Sequence, residues 1–272
     1  MTDRYAVIGH PVAHSRSPWI HTRFALATGE DIEYLRLEAP PDGFERAVNA
    51  FRASGGLGLN VTLPFKEEAC RYAAALSERA RVARAVNTLK FDGARAYGDN
   101  TDGAGLIRDL VVNLFCTIEG AAVLLLGAGG AARGVLAPLL QAGPARLMIA
   151  NRTPERARAL VAEFAPFGRG ARFGALALDA LQGEAFDLVI NATSAGLGGT
   201  PLELPGSFFR RGLLAYDMMY GRDTAFLAQA RAAGAIAKDG AGMLVEQAAE
   251  SFYLWRGVRP DTAAILAALR AS

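Results

Sequence analysis

The stretch Ala121-Ala122-Val123-Leu124-Leu125-Leu126-Gly127-Ala128-Gly129-Gly130-Ala131-Ala132 decides the fold of this chain. Its first half is an apolar run typical of a buried strand, and the glycine-rich turn that follows opens a helix. The turn matches G-x-G-x-x-A, in which the first glycine permits a tight turn and the second lets a pyrophosphate approach the backbone. Backbone N–H groups and the helix dipole then face the phosphates. The sequence therefore predicts a dinucleotide site at Gly127, Ala128, Gly129, Gly130 and Ala131.

The segment after the next predicted strand selects between dinucleotides. It reads Asn151-Arg152-Thr153, and Arg156 follows within one helical turn. An acidic residue at 151 or 152 would accept hydrogen bonds from a ribose 2′-hydroxyl, as NAD requires, whereas Arg152 can form two hydrogen bonds to a 2′-phosphate. Arg156 adds charge and Thr153 a hydroxyl, so the sequence predicts NADP. In the alternative interpretation Thr153 only caps a helix that starts at Pro154, and the arginines lie on a solvated face.

On both sides of this unit, strands alternate with helices, which predicts an α/β fold. Strands are expected at 4–9, 34–37, 58–63, 121–126, 146–150, 187–191 and 213–219. Helices are expected from Pro18 with Ser17 as its cap, at 42–54, at 66–75, after Gly103, at 242–256 and at 260–271. The change of motif near Gly103 indicates a domain boundary there.

Composition excludes several classes of function. The 272 residues suit one or two domains, and 51% hydrophobic residues suffice for substantial cores. The net charge of +2 is not gathered into a basic stripe, which argues against nucleic-acid binding. No apolar run reaches membrane-spanning length, and the start of the chain is expected to form a strand and not a secretory signal. Cys70 and Cys116 are expected to be free thiols in the cytoplasm, and the histidines lack the spacing of a metal site.

Lysine at position 66 is unusual because only three of the 29 lysines and arginines are lysines. An arginine keeps its proton near neutral pH, whereas a lysine in a partly dry site can release one. Asn60 and Thr62 precede it in an otherwise apolar strand and are expected to point the same way. Lys66 follows the strand's C-terminal edge, where the sites of α/β proteins gather. The pattern indicates a lysine that exchanges a proton beside hydrogen-bonding groups.

Two further polar clusters stand in the same part of the chain, Asn87-Thr88 and Gly98-Asp99-Asn100-Thr101-Asp102-Gly103. Each has a structural alternative, Asn87 as a turn residue and Asp102 as a helix N-cap. Together with Lys66 they supply a cation, a carboxylate, amides and hydroxyls. That combination suits a small polyhydroxylated substrate.

From end to end the chain resembles the NADP-dependent shikimate dehydrogenase family. The resemblance rests on the order and spacing of its motifs, which are Ala13-His14-Ser15-Arg16-Ser17-Pro18, Asn60-Val61-Thr62-Leu63-Pro64-Phe65-Lys66, Ala85-Val86-Asn87-Thr88, the cluster at 98–103, the glycine-rich turn, Asn151-Arg152-Thr153, Asn191-Ala192-Thr193-Ser194, Tyr216-Asp217-Met218-Met219-Tyr220 and Gly242-Met243-Leu244-Val245-Glu246-Gln247. One departure is Arg84, which stands where the family commonly has a glycine and is expected to alter the neighbouring turn.

The resemblance implies an N-terminal α/β substrate-binding domain (1–103) and a Rossmann-like NADP-binding domain (104–239), with the active site in the cleft between them. The final helices (240–272) return to the first domain. The implied activity is the reversible, NADPH-dependent reduction of 3-dehydroshikimate to shikimate by direct hydride transfer, in the shikimate pathway of aromatic amino-acid biosynthesis. The implied enzyme is cytoplasmic and acts as a monomer or a homodimer.

The resemblance also assigns site residues, position by position. The catalytic pair is Lys66 and Asp102. The substrate carboxylate is bound by Ser15 and Ser17 with help from Tyr220, and the ring hydroxyls by Asn60, Thr62, Asn87 and Gln247. Besides the glycine-rich turn, the cofactor contacts are Asn151, Arg152, Thr153, Arg156, Glu78, Met218 and Gly240.

Several alternatives remain open at the level of sequence. Arg16 is a rival ligand for the carboxylate, although its side chain should point away from both serines if this segment is extended. A quinate/shikimate dehydrogenase that uses NAD, a catalytically idle dinucleotide-binding regulator and an unrelated two-domain NADP reductase are the rival functions. If Lys66 transfers the proton, alcohol oxidation should improve as the pH rises well above neutral, because an ordinary lysine has a pKa of about 10.4.

Overall fold

The computed structural model describes residues 2–168, 170–193, 204–205 and 208–271, so Ser194 of the motif quoted above lies outside the described residues. The chain divides into two compact units, one formed by Met1–Gly105 with Val245–Ser272 and the other by Leu106–Leu244. The observed boundaries follow Gly105 and Leu244. The sequence placed them after residues 103 and 239, two and five residues too early. The first unit is therefore built from two separate segments of sequence.

The first unit contains a mixed six-stranded sheet in the order β2-β1-β3-β5-β6-β4. Its strands are β1 (Asp3–Gly9), β2 (Ile32–Glu38), β3 (Gly56–Val61), β4 (Ala75–Leu76), β5 (Thr88–Asp92) and β6 (Arg95–Asp99). The pairs of β1 with β2 and β3, and of β4 with β6, are parallel, and β5 is antiparallel to both of its neighbours. Its first helices are α1 (Ser17–Thr28), α2 (Phe44–Ala53), α3 (Lys66–Tyr72) and α4 (Glu78–Ala83), and α5 (Asp102–Arg108) leads into the second unit.

Helix α2 shows how the first core forms. Phe44, Val48 and Phe51 recur at the helical period and are buried, so they make one apolar face. That face packs in one cluster with Leu59 and Val61 of β3. Lys66 follows β3, Asn87 directly precedes the antiparallel strand β5 and Asp102 follows β6, so these three polar residues lie at one edge of the sheet.

The second unit contains a six-stranded parallel sheet in the order β12-β11-β10-β7-β8-β9. Its strands are β7 (Ala122–Leu126), β8 (Arg146–Ala150), β9 (Arg172–Leu176), β10 (Leu188–Asn191), β11 (Leu214–Asp217) and β12 (Ile236–Lys238), and its helices are α6 (Gly130–Gln141), α7 (Pro154–Phe164) and α8 (Ala225–Ala232). Counted from β7, the first strand of this unit, the order is the doubly wound 3-2-1-4-5-6 order of dinucleotide-binding folds. The predicted fold class, an α/β domain followed by a Rossmann-like domain, is confirmed.

The last two helices are α9 (Ala241–Arg256) and α10 (Ala263–Arg270). From Val245 onward the chain belongs to the first unit. Trp255 of α9 stacks on Tyr5 of β1 with ring centroids 4.6 Å apart. Its indole Nε1 donates to the carbonyl oxygen of Leu89 at 3.0 Å. A Cβ on Gly58 would come within 2.5 Å of that Nε1, so this glycine makes room for the indole.

Some local predictions were wrong. Ser17 begins α1 instead of capping it, and Arg16 occupies the N-cap position in a helical conformation, so this segment is not extended. Arg16 places its guanidinium over the ring of Trp19, 5.5 Å from the centroid. Strand β3 ends at Val61, one residue before Thr62. Arg84 ends α4 in the left-handed conformation, with φ of 50°, so the turn keeps the geometry that a glycine there would adopt most easily.

The structure also contains elements that were not predicted. The β5–β6 hairpin turns at Gly93-Ala94, between the paired residues Asp92 and Arg95, and Gly93 has a φ of 53°. A glycine at such a turn is the signal that could have revealed the hairpin. Strands β9 and β12 are short and only partly buried, so their apolar pattern is weak. Among the described residues, Cys70 and Cys116 are free thiols. No helix in that part of the chain is long and apolar enough to cross a membrane.

Candidate active site

Lys66 and Asp102 meet in the first unit although they are 36 residues apart in the chain. Lys66 is the first residue of α3 and Asp102 the first of α5. The Nζ of Lys66 lies 2.6 Å from Oδ2 of Asp102, and the two side chains are 24% and 10% exposed. The ammonium is therefore held by one carboxylate while part of its surface stays accessible to a ligand.

Asn87 orients the carboxylate from the other side. Its Nδ2 donates to Oδ1 of Asp102 at 2.8 Å and to Oγ1 of Thr101 at 2.9 Å. Its Oδ1 accepts from the backbone N–H of Thr101 at 2.8 Å, so the amide is fixed at both ends. The Oε1 of Gln247 lies 3.4 Å from the same Nδ2, which brings α9 into the cluster. The structure thus joins four predicted site residues: Lys66, Asp102, Asn87 and Gln247.

The loop that carries Asp102 is anchored by a buried ion pair that the sequence did not reveal. Asp99 accepts two hydrogen bonds from Arg79, from Nε at 2.7 Å and from Nη2 at 2.5 Å. It also accepts from Ser77 Oγ at 2.5 Å and from the backbone N–H of Asn100 at 2.7 Å. Burial acts to raise the pKa of Asp99, but these hydrogen bonds and the charge of Arg79 outweigh it and leave the pKa lowered. Asp99 is thus a charged residue that fixes the end of β6, three residues before Asp102, the proposed catalytic carboxylate.

Asn60 is buried within a network of protein groups. Its Oδ1 accepts from the hydroxyl of Tyr34 at 2.7 Å. Its Nδ2 faces three acceptors, Ser251 Oγ at 3.0 Å, Thr88 Oγ1 at 3.2 Å and the carbonyl oxygen of Asn87 at 3.3 Å. Ser251 was missed by sequence reasoning. It lies one helical turn after Gln247 on α9, and that spacing of polar residues in an apolar helix is the signal that could have found it.

Ser15 and Ser17 lie together at the start of α1. The backbone N–H of Ser17 donates to Oγ of Ser15 at 3.2 Å. Arg36 donates from Nη2 to the carbonyl oxygen of Ser15 at 2.7 Å and so fixes the loop in front of the helix. Hydroxyls and backbone N–H groups at a helix N-terminus suit an anion such as a carboxylate.

The remaining predicted residues are placed as follows. Thr62 is half-buried just past the end of β3. Glu78 is an exposed residue at the start of α4 and belongs to the first unit, whereas the other predicted cofactor contacts belong to the second. Tyr220 is half-buried in the second unit, whereas Ser15 and Ser17 belong to the first.

The glycine-rich turn of the second unit leaves an open cradle at the start of α6. Gly127 follows β7 with φ of 106°, a left-handed conformation that favours glycine. Gly129 is the N-cap of α6 and Gly130 its first residue, and a Cβ on either would meet nothing within 4 Å. Helix N–H groups beside empty space fit the pyrophosphate of a dinucleotide. Ala132 is fully buried, as close packing of helix and strand requires.

The segment after β8 presents basic side chains to solvent. Arg152 and Arg156 are exposed, and Asn151 donates from Nδ2 to the carbonyl oxygen of Thr153 at 2.9 Å. Thr153 occupies the N-cap position of α7, but its side chain makes no capping hydrogen bond. Arg158 pairs with Glu155 at 2.6 Å. The fixed turn with two exposed arginines fits a 2′-phosphate.

Met218 and Gly240 are brought together although 22 residues separate them in the sequence. A Cβ on Gly240 would lie 2.4 Å from the carbonyl oxygen of Met218, so only glycine permits this approach. The backbone N–H of Gly240 donates to the carbonyl oxygen of Met219 at 2.8 Å. The glycine is therefore required by backbone packing, whatever it contributes to a cofactor site.

Comparison with known proteins gives a consistent result along the chain. Residues 7–89 match the shikimate dehydrogenase substrate-binding domain, residues 109–197 match the shikimate/quinate 5-dehydrogenase model, and residues 240–270 match the shikimate 5′-dehydrogenase C-terminal domain. The shikimate dehydrogenase (NADP(+)) of Methylobacillus flagellatus is 56% identical over 271 residues, which cover 99% of this chain and 100% of that protein.

Solved structures extend the similarity to three dimensions. The Ael1 enzyme from Pseudomonas putida is 49% identical, with a TM-score of 0.92 over 98% of both chains. Shikimate 5-dehydrogenase from Thermus thermophilus, solved with NADP(H) and shikimate, is 34% identical, with a TM-score of 0.88 over 99% of both chains.

Proposed function

Because the chain belongs to the shikimate dehydrogenase family, we propose that it catalyses the reversible reduction of 3-dehydroshikimate to shikimate with NADPH. The observation that carries this proposal is the contact of 2.6 Å between Lys66 Nζ and Asp102 Oδ2, with Asn87 on the second carboxylate oxygen. It supplies a fixed, partly accessible ammonium group of the kind that ketone reduction requires.

Lys66 acts at the ketone oxygen of the substrate. NADPH supplies the hydride that converts the ketone carbon to an alcohol carbon. As negative charge develops on the oxygen, the Lys66 ammonium donates a hydrogen bond and then its proton, which completes the alcohol. In the reverse direction a neutral Lys66 removes the hydroxyl proton. Asp102 holds the ammonium in place, since it is itself held by Asn87.

The substrate is bound mainly by hydroxyl and amide groups of the first unit. Ser15 and Ser17 receive the carboxylate beside the start of α1, with Tyr220 as a further donor. The ring hydroxyls are bound by Asn60, Thr62, Asn87 and Gln247. This set contains no arginine, so we propose that the carboxylate is bound mainly by hydrogen bonds from uncharged donor groups.

NADP(H) is held by the second unit. The turn Gly127–Ala131, which is open at Gly129 and Gly130, receives the pyrophosphate. Arg152 and Arg156, with Asn151 and Thr153, receive the adenosine 2′-phosphate. Met218 and Gly240 are proposed at the nicotinamide end, and Glu78 is a further proposed contact. The curated relatives are named for NADP(+), so an enzyme that prefers NAD or quinate is not favoured.

One assay separates the candidate functions. Purified protein is mixed with shikimate or quinate, each with NADP or NAD, and reduced nicotinamide is followed by its absorbance. We expect rapid turnover only with shikimate and NADP. Turnover with quinate or NAD at a comparable rate would identify the broader enzyme, and no turnover with any pair would identify an idle regulator. We further propose that the enzyme acts in the cytoplasm, as a monomer or a homodimer.

A further inference from the structure

Asn191 and Asp217 are buried polar residues at the ends of two neighbouring parallel strands of the second unit. Asn191 is the last residue of β10 and Asp217 the last of β11, and the two are paired in register. The Nδ2 of Asn191 donates to Oδ2 of Asp217 at 3.1 Å. Burying a carboxylate costs free energy unless hydrogen bonds compensate it, so this pair is expected to have a purpose. Neither residue is among the proposed ligands.

Asn191 fixes the turn that follows β10. Its Oδ1 accepts from the backbone N–H of Thr193 at 3.1 Å and from the Thr193 hydroxyl at 2.7 Å, so the asparagine side chain closes the turn. The turn packs on Gly127, where an added Cβ would lie 3.1 Å from Cγ2 of Thr193 and 3.2 Å from the carbonyl carbon of Ala192. Asn191 therefore holds a segment that touches the first glycine of the proposed pyrophosphate turn.

Asp217 fixes the turn that follows β11 in a similar way. Its Oδ1 accepts from the backbone N–H of Met219 at 3.0 Å. The backbone N–H of Met218 donates to the carbonyl oxygen of Asn191 at 3.0 Å, which ties this turn to the end of β10. The Oδ2 of Asp217 also accepts from Oγ1 of Thr224, the N-cap residue of α8, at 2.6 Å. The carboxylate thus joins the ends of two strands to the start of a helix.

The order of the strands places this pair on the side of the sheet opposite to the proposed adenosine site. β8, which precedes Arg152, lies on one side of β7, whereas β10 and β11 lie on the other. A dinucleotide crosses the carboxyl edge of such a sheet where the strand order reverses. With the pyrophosphate at the turn after β7 and the 2′-phosphate after β8, we expect the nicotinamide half to extend over the ends of β10 and β11.

We propose that Asn191 and Asp217 are positioning residues that fix the distance from the pyrophosphate turn to the backbone at Met218, and so hold the nicotinamide half of the coenzyme in one place. The inference rests on the proposed function, since it assigns the second unit to NADP. A site whose turns are rigid before the coenzyme binds loses less free energy to ordering them. In this role neither side chain touches the substrate or exchanges a proton.

The first test compares the whole coenzyme with a fragment of it. Adenosine 2′,5′-bisphosphate carries the 2′-phosphate of NADP but lacks the nicotinamide half. We expect Asn191→Ala to weaken NADP binding about tenfold, because it removes buried hydrogen bonds that hold both turns. Binding of adenosine 2′,5′-bisphosphate should change by less than about twofold, as for a site that does not share these contacts. Calorimetry measures both ligands on the full chain.

The matched control is Asn113→Ala. The Nδ2 of Asn113 donates to Oδ1 of the buried Asp109 at 2.9 Å, which is the same kind of amide–carboxylate bond in the same unit, in the helical segment that precedes β7. We expect this variant to leave the ratio of the two affinities unchanged. Equal weakening of both ligands by Asn191→Ala, or the same selective loss of NADP binding in Asn113→Ala, would overturn the inference.

A second pair of variants remains decisive if Asn191→Ala does not fold. Thr224→Val removes the hydroxyl that donates to Asp217 and keeps the shape of the side chain, whereas Thr224→Ser keeps the hydroxyl. We expect Thr224→Val to weaken NADP binding about threefold or more without affecting adenosine 2′,5′-bisphosphate, and Thr224→Ser to match the wild type. Unchanged NADP binding in Thr224→Val would overturn the inference.

These binding measurements separate the inference from the proposed function. Wild-type protein that binds NADP but does not oxidise shikimate would refute the proposed function, and the selective loss in Asn191→Ala would still support the inference. Wild-type protein that binds neither NADP nor adenosine 2′,5′-bisphosphate would overturn both.

Discussion

The side chains of Lys66, Asp102 and Asn87 have separate roles in the proposed reaction. The ammonium is proposed to provide charge and a proton, Asp102 holds the ammonium through a contact of 2.6 Å, and Asn87 holds Asp102. The carboxylate receives a hydrogen bond on each oxygen, so its rotation is restricted from both sides. A site that is fixed before the substrate arrives loses little free energy to reorganisation during the reaction.

Replacing Lys66 with methionine tests the proton donor. We expect Lys66→Met to lower kcat by about 10²–10⁴-fold, the usual contribution of a general acid or base, while shikimate and NADP still bind. The control is Lys90→Met, since the Nζ of Lys90 donates to the carbonyl oxygen of Leu254 at 2.9 Å and is not part of the site. Steady-state kinetics and calorimetric binding check both variants. A Lys66→Met enzyme with normal kcat would rule out the proposed acid.

Arg152 is expected to set the preference for NADP. Arg152→Ala should raise the KM for NADP about tenfold or more, because a charge-assisted hydrogen bond to phosphate contributes about 1.5–3 kcal/mol. The KM for shikimate should not change. Arg158→Ala is the matched control, because Arg158 pairs with Glu155 on the exposed face of α7. If both variants bind NADP like the wild type, the 2′-phosphate is recognised elsewhere.

Among the elements, the loop between β6 and α5 depends on the ion pair of Arg79 with Asp99. The pKa of Asp99 is lower in the folded protein than in the unfolded chain, where an aspartate side chain has a pKa of about 3.9. The stability that this carboxylate contributes is therefore fully present above the unfolded-state value. It is lost as the pH falls through the lower, folded-state value.

The variant Asp99→Asn tests this anchor. We expect it to lower the free energy of unfolding at pH 7 by about 1–3 kcal/mol, because it removes the charge that accepts two hydrogen bonds from Arg79, which keeps its contact with Glu250 at 3.0 Å. The remaining stability should fall less steeply between about pH 5 and pH 3 than in the wild type. Asp92→Asn, at the exposed end of β5, is the control and should change stability by less than about 0.5 kcal/mol. Urea unfolding at several pH values measures both, and parallel pH profiles of the wild type and Asp99→Asn would contradict the expectation.

Local signals in the sequence predicted individual helices and strands, but not the contacts between residues far apart in the chain. The apolar run before Gly127 and the Pro154 start of α7 are local signals, and both elements form where they were predicted. The network around Asn60 could not be predicted, because its contact with Ser251 spans 191 residues and depends on how α9 packs. Residue types alone grouped Lys66, Asn87 and Asp102 as candidates for one polar site, whereas the pairing of Lys66 with Asp102 was anticipated through family resemblance. No local pattern shows that residues so far apart in the chain will touch.

At the scale of the whole molecule, the first unit is discontinuous in sequence. Its sheet comes from the first 105 residues, whereas Gln247, Ser251 and Trp255 come from the last segment. The second unit, Leu106–Leu244, contains all six strands of its own sheet. If Gln247 binds the substrate as proposed, substrate recognition depends on this last segment, whereas the sheet of the proposed dinucleotide site lies wholly within residues 106–244.

A truncation tests this dependence. We expect a chain that ends at Leu244 to lose shikimate binding and much of its near-ultraviolet circular dichroism, because Trp255 no longer packs on Tyr5 and Phe252 no longer packs on Phe24. Each such loss of a large buried side chain costs about 3–5 kcal/mol. NADP binding by the second unit should persist. A chain that ends at Arg270, the last residue of α10, is the control and should match the full-length protein. Shikimate binding by the chain that ends at Leu244 would contradict the expectation.

The split first unit has a consequence for synthesis on the ribosome. The surface formed by Tyr5, His21 and Tyr34 leaves the exit tunnel early, but the indole of Trp255 that covers it is translated only after residues 106–244. During that interval the nascent chain presents an uncovered aromatic surface, the kind of surface that chaperones bind. A pause in translation before Trp255 has left the exit tunnel would prolong this exposure.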